Sequence, residues 1–66
     1  MLITLNGQSH EVNLQASLSD LLNQLNLQGQ RLAIEVNKEV IARSRHEQFT
    51  LSEGDQVEII QAVGGG

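Results

Sequence analysis

Short alternating runs and one leucine stripe organise the chain. Ile3 and Leu5 share one parity against Leu2 and Thr4, and beyond Asn6-Gly7 the stretch 11–14 alternates again, with Val12 and Leu14 in step. Alternating runs on either side of Asn-Gly signal a β-hairpin, because a type I′ turn needs positive φ at both central residues. Ser17-Leu18-Ser19-Asp20 follows the serine-to-acid capping pattern. Leu18, Leu21, Leu22 and Leu25 then recur at helical spacing, which predicts an amphipathic helix with its apolar stripe on a sheet. Ala16 stands where it can staple against Leu21, and Gly29 is the expected stop. Leu32, Ile34 and Val36 alternate as a third strand that ends at Asn37, Lys38 and Glu39, and residues 40–42 read as a short fourth strand. Ser44 to Glu47 repeats the capping pattern, so one helical turn is expected there, carrying Phe49 and Leu51 inward. Ser52, Glu53, Gly54 and Asp55 form a polar turn with Gly54 at positive φ, and a last strand runs from Gln56 to about Ala62.

The order strand, strand, helix, strand, strand, strand fits one small α+β domain over residues 1–66, a mixed five-stranded sheet gripping one main helix. That is the β-grasp, or ubiquitin-like, arrangement. In it the first and last strands lie side by side in the middle of the sheet, and residues 63–66 leave one end as a flexible tail. Composition agrees with a folded domain: of the 66 residues 39% are hydrophobic and 18% charged, outside the charge-dense range of disorder. The formal charge of −4 disfavours a nucleic-acid backbone as partner, since that binding needs clustered Lys and Arg. Without cysteine the chain has no disulfide framework and cannot carry a thioester or persulfide on its own side chains. Met1 leads into Leu2, Ile3, Thr4 and Leu5 without a basic leader or a long apolar stretch, so the expectation is a cytoplasmic chain that neither enters nor spans a membrane.

The feature that no core explains is Gly64-Gly65-Gly66. Glycine loses the most backbone freedom on ordering and has no side chain to bury, so a triplet after the last strand adds nothing to packing. A segment without Cβ atoms can thread a narrow channel and present a carboxylate at Gly66 to another protein's active site. The remaining candidates read as structural. His10 and His46 lack a metal-ligand pattern and are expected at the surface. The glutamates are dispersed, and Ser17, Ser44 and Ser52 sit at caps or turns without a triad. Arg43, Arg45 and His46 are the one basic cluster, accounted for by capping and solubility. If Val57 and Ile59 face the helix, then Leu2, Ile60 and Ala62 fall on the open sheet face and, with Val63, make a candidate docking patch near the tail.

The segments Ala33-Ile34-Glu35-Val36-Asn37, Glu53-Gly54-Asp55, Val57-Glu58-Ile59-Ile60 and Ala62-Val63-Gly64-Gly65-Gly66, taken in this order and length, resemble the thiamine-biosynthesis sulfur carrier family across the whole chain. The chain departs from that family between Ala42 and Gln48, where it has no proline and His46 stands near the usual aromatic. The resemblance implies a protein cosubstrate rather than an enzyme, with no cofactor bound. A ThiF-like, E1-type partner would use ATP and magnesium to adenylate Gly66. A persulfide from a cysteine desulfurase system would convert the adenylate to a thiocarboxylate, and thiazole synthase would receive the sulfur. Two rivals share the pattern: the small subunit of molybdopterin synthase, whose chains run longer, and a non-catalytic ubiquitin-like binding module with an idle tail.

Overall fold

The computed structural model describes residues 1–61. Five strands, β1 (Leu2–Leu5), β2 (Gln8–Glu11), β3 (Leu32–Val36), β4 (Glu39–Ile41) and β5 (Gln56–Gln61), form one sheet in the order β2-β1-β5-β3-β4. The helix α1 (Leu18–Gln24) crosses one face, and a 3-10 turn spans Arg43–Arg45. Among the described residues only the β1–β5 pair is parallel, and the other three pairs are antiparallel. The sheet is therefore mixed, with β5 in the middle.

Turn chemistry fixes both hairpins more tightly than their apolar pattern suggests. Asn6 and Gly7 take φ of 49° and 85°, so the turn holds two residues and Leu5 pairs with Gln8. The second strand starts at once, at Gln8, and not in the stretch 11–14. Val12 still closes the ladder: its N–H donates to the Met1 carbonyl at 2.9 Å and its own carbonyl accepts from the Met1 nitrogen at 2.8 Å. Val12 is buried, whereas Leu14, beyond the end of the strand, is 77% exposed. The same correction applies to the second hairpin. Asn37 and Lys38, at φ 52° and 71°, make a two-residue turn, so Val36 faces Glu39 and β4 is Glu39–Ile41 rather than 40–42. A two-residue loop leaves no slack in register, and a one-residue error exchanges faces.

The helix starts as its sequence predicts. Ser17 Oγ accepts the Asp20 N–H at 3.0 Å, and an Asp20 carboxylate oxygen accepts the Ser17 N–H at 2.9 Å. The remaining first-turn donors reach the chain beyond the 3-10 turn, Leu18 N–H to the Phe49 carbonyl at 3.0 Å and Ser19 N–H to the His46 carbonyl at 3.1 Å. All of these would otherwise be orphans. At the other end the helix stops earlier than Gly29. Asn26 turns left-handed at φ 59°, its N–H donates to the Asn23 carbonyl, and the Leu27 N–H returns to the Leu22 carbonyl at 2.8 Å. That pair of bonds is a Schellman cap, and asparagine holds the position glycine most often takes.

Leu18, Leu21, Ile34 and Val57 are fully buried, with Ile3, Val12, Ala16, Val36, Ile41 and Leu51 around them. Each of these side chains except that of Ala16 stabilises the fold by roughly 1.5–3 kcal/mol relative to exposure. Leu22, Leu25, Phe49 and Ile59 pack against this core at its margin. The turn near residue 44 is shorter than the capping pattern implies. Ala42 precedes it without a side-chain cap, and Ser44 lies inside it.

Candidate functional site

The place to examine is where β5 hands the chain on toward the glycines. Val57 faces the core, and Ile59 of the same parity packs at its margin, so Gln56, Glu58 and Ile60 fall on the open face. On one side β5 pairs with β3 from Val36 opposite Val57 to Leu32 opposite Gln61. On the other side β1 pairs only as far as Leu5 beside Val57, and the chain then turns away at Asn6. The Asn6 side chain extends the support past that point: its Oδ1 accepts the Ile59 N–H at 2.9 Å, and the Asn6 N–H donates to the Val57 carbonyl at 2.9 Å. The last strand is thus anchored on both sides to Ile59 and on one side to Gln61. Its direction of exit is fixed by backbone pairing in the centre of the sheet.

The far end of β5 is fastened by a polar cluster. Asn37 donates from Nδ2 to Asp55 Oδ1 at 3.1 Å and accepts the Gln56 N–H on Oδ1 at 3.0 Å. The second Asp55 oxygen accepts the Ser52 N–H at 2.8 Å. Gly54 at φ 84° lets the chain make that turn. Two of the segments that carry the family resemblance, Ala33 to Asn37 and Glu53 to Asp55, therefore meet through their last residues. Their role is to hold the start of the central strand.

Of the expected site residues, Ala62, Val63, Gly64, Gly65 and Gly66 lie outside the described residues. Leu2 and Ile60 are about half exposed and both lie on the open face, yet they do not sit together. Leu5 beside Val57 puts Leu2 level with Gly54, six residue steps from Ile60. At about 3.3 Å per step the separation is about 20 Å along the sheet. The neighbours of Ile60 are instead Ala33, its partner on β3, and the side chains of Leu32, Arg31 and Arg43, which line one shallow depression with it. Arg43 Nη2 donates to the Gln30 carbonyl at 2.9 Å, which holds the guanidinium at this end of the sheet. The basic cluster read from sequence as Arg43, Arg45 and His46 is thus rearranged in space to Arg43 with Arg31.

His46 corrects a second expectation. It is buried, only 6% exposed, with Nε2 3.1 Å from the Ile41 carbonyl. The 3-10 turn folds the ring inward, and the free carbonyl at the end of β4 accepts its N–H, so burial is compensated. His10 is half-buried on β2 and bonds Gln24 Oε1 at 2.8 Å. Among the described residues no three His, Asp or Glu side chains gather where a metal ion could bind, and no helix is long and apolar enough to cross a membrane.

A mixed five-stranded sheet on one helix, with the last strand central and a glycine triplet after it in sequence, defines a ubiquitin-like domain of the β-grasp class. Within that class the comparisons are specific. The model of the ThiS family matches residues 3–66, and the chain belongs to that family. The thiazole synthase of Magnetococcus marinus is 36% identical over 66 residues, all of this chain and 20% of that protein. The chain spans about a fifth of the length of the curated thiazole synthases it matches. The sulfur carrier protein ThiS of Bacillus subtilis is 36% identical over 50 residues, 76% of each chain. The crystal structure of the thiamine biosynthesis protein ThiS from Geobacter metallireducens superposes with a TM-score of 0.86 at 32% identity, covering both chains completely.

Proposed function

We propose that the chain is a sulfur carrier for thiazole formation in thiamine biosynthesis, a cytoplasmic protein cosubstrate and not a catalyst. The observation that carries the reading is the exit of β5. A strand secured through Gln61 delivers the chain to the rim of the sheet, and Ala62 to Gly66 then reach at most about 16–18 Å beyond it. That is shorter than a tail free from Gln61 onward would reach, because Gln61 is still paired with Leu32. The glycines admit a close approach of backbone to nucleotide.

The reading takes Gly66 as the chain's end. A carboxylate is a poor electrophile. Attack of its oxygen on the α-phosphorus of ATP, with magnesium and an E1-like, ThiF-type partner, releases pyrophosphate and gives an acyl adenylate. The terminal sulfur of a persulfide, supplied by a cysteine desulfurase system, displaces AMP. A thiol then cleaves the S–S bond of the acyl disulfide and becomes part of a disulfide itself, leaving a thiocarboxylate on Gly66. Thiazole synthase takes the sulfur and the carboxylate returns. The family match and the Bacillus subtilis relative support the thiamine branch over the molybdopterin one. The partnership with thiazole synthase is supported by thiazole synthases that contain a segment like this chain within a longer protein.

Intact-protein mass spectrometry after incubation with the adenylating enzyme, ATP, magnesium and a persulfide source tests this. A gain equal to replacing one oxygen by sulfur, absent when Gly66 is deleted, is the expected result. An unchanged mass, with the same enzyme active on a known carrier, overturns the reading in favour of a binding module with an idle tail.

A further inference from the structure

The acidic side chains on and beside the strands gather toward the start of β5. By the strand pairings, Glu11, Glu35, Glu39, Asp55 and Glu58 all lie level with residues 54–58, and Lys38 lies among them. Arg31 immediately precedes Leu32, the partner of Gln61, and Arg43 is held beside it by its bond to the Gln30 carbonyl. In a chain with four basic residues and a net charge of −4, two arginines thus stand together at the end from which the tail leaves. Between them Ala33 and the half-exposed Ile60 of the open face line the shallow depression, with Leu32 at its edge.

An apolar centre with a guanidinium rim matches a protein surface that carries an apolar contact rimmed by carboxylates. Arginine forks pair with carboxylates in two-point geometry, and complementary rim charges act mainly on encounter and orientation. The opposite end of this domain repels such a surface. Attraction at one end and repulsion at the other turn the carrier so that its tail arrives first. We propose that Arg31 and Arg43, around Ile60 and Ala33, form the docking surface for an acidic rim at the tail-entry channel of the adenylating partner. The proposal rests on the sulfur-carrier reading and adds to it which face docks and what chemistry receives it.

Arg31→Glu and Lys38→Glu change the net charge equally, at opposite ends of the sheet. In the thiocarboxylate-forming reaction, R31E raises KM for the carrier about tenfold at low ionic strength, kcat is unchanged, and the difference fades with added salt. K38E adds negative charge to the end that already faces away from the partner and stays within about twofold of the wild type. Arg43→Lys keeps the charge, and its melting point reports separately on the bond to Gln30. Equal KM values for R31E and K38E overturn the docking surface while leaving the carrier reading intact. No mass gain in the wild-type chain, with the enzyme active on a known carrier, overturns the carrier reading and the docking surface with it.

Discussion

Asn6 holds two strands together and sits in a strained conformation while doing so, which makes it the most informative residue to change. Its φ is 49°, and its Oδ1 accepts the Ile59 N–H at 2.9 Å where β1 no longer supports β5. Asn6→Ala removes the acceptor and forces a Cβ-bearing residue without a local polar partner into the left-handed region. The solvent-accessible bond is worth roughly 0.5–1.5 kcal/mol and the backbone strain roughly 1–2 kcal/mol. Together they lower stability by about 2 kcal/mol, which in a domain of this size is a fall of about 8–16 °C in Tm. Asn6→Gly removes the bond without the strain and costs about 1 kcal/mol, while Asn6→Asp keeps an acceptor and stays within about 0.5 kcal/mol of the wild type. Urea unfolding followed by far-UV circular dichroism gives the ranking, and amide exchange at Ile59 reports the bond directly. Equal midpoints for the alanine and glycine variants refute the strain argument. Wild-type protection at Ile59 in Asn6→Gly refutes the claim that this side chain anchors the exit of β5.

Gly66→Ala should slow thiocarboxylate formation about a hundredfold, the scale of an ångström-sized displacement of a reacting group, with Tm unchanged; intact mass and calorimetry read the two effects separately. Ser17→Ala breaks the reciprocal cap with Asp20 and should cost about 1 kcal/mol in urea unfolding, with no change in the kinetics of sulfur loading. Asn26→Gly should leave stability unchanged or raise it slightly, because the cap needs positive φ and no side chain, whereas Asn26→Val should lower it by about 1 kcal/mol or more. A destabilised glycine variant would show that the asparagine side chain, and not the backbone conformation, holds the helix end.

Features decided by neighbouring residues were legible in the sequence. The Ser17 and Asp20 box, the stripe from Leu18 to Leu25, the alternation of β3 and the positive φ of Gly54 each follow from chemistry within a few positions. The strand ends were less so. Asn37-Lys38 places a lysine at φ 71°, and nothing in lysine announces that, so β4 was displaced by one residue in the reading. Burial of His46 depends on a carbonyl at the end of β4, and the proximity of Arg31 and Arg43 depends on the β3–β4 hairpin carrying the chain back past Leu32. Parity placed Leu2 and Ile60 on the correct face. Their separation is set by the parallel register of β1 and β5, a long-range fact that periodicity does not contain. The glycine triplet was conspicuous from the start because no packing argument accounts for it.

Among the described residues, the strand in the middle of the sheet is synthesised after the other four. A chain cut before Gln56 has a first hairpin and a second hairpin with no partner in common, since β1 and β3 meet only through β5. On the ribosome the sheet therefore cannot close until residues through Gln61 have cleared the exit tunnel. A chain that stops before β5 therefore exposes unpaired strand edges to proteases and chaperones.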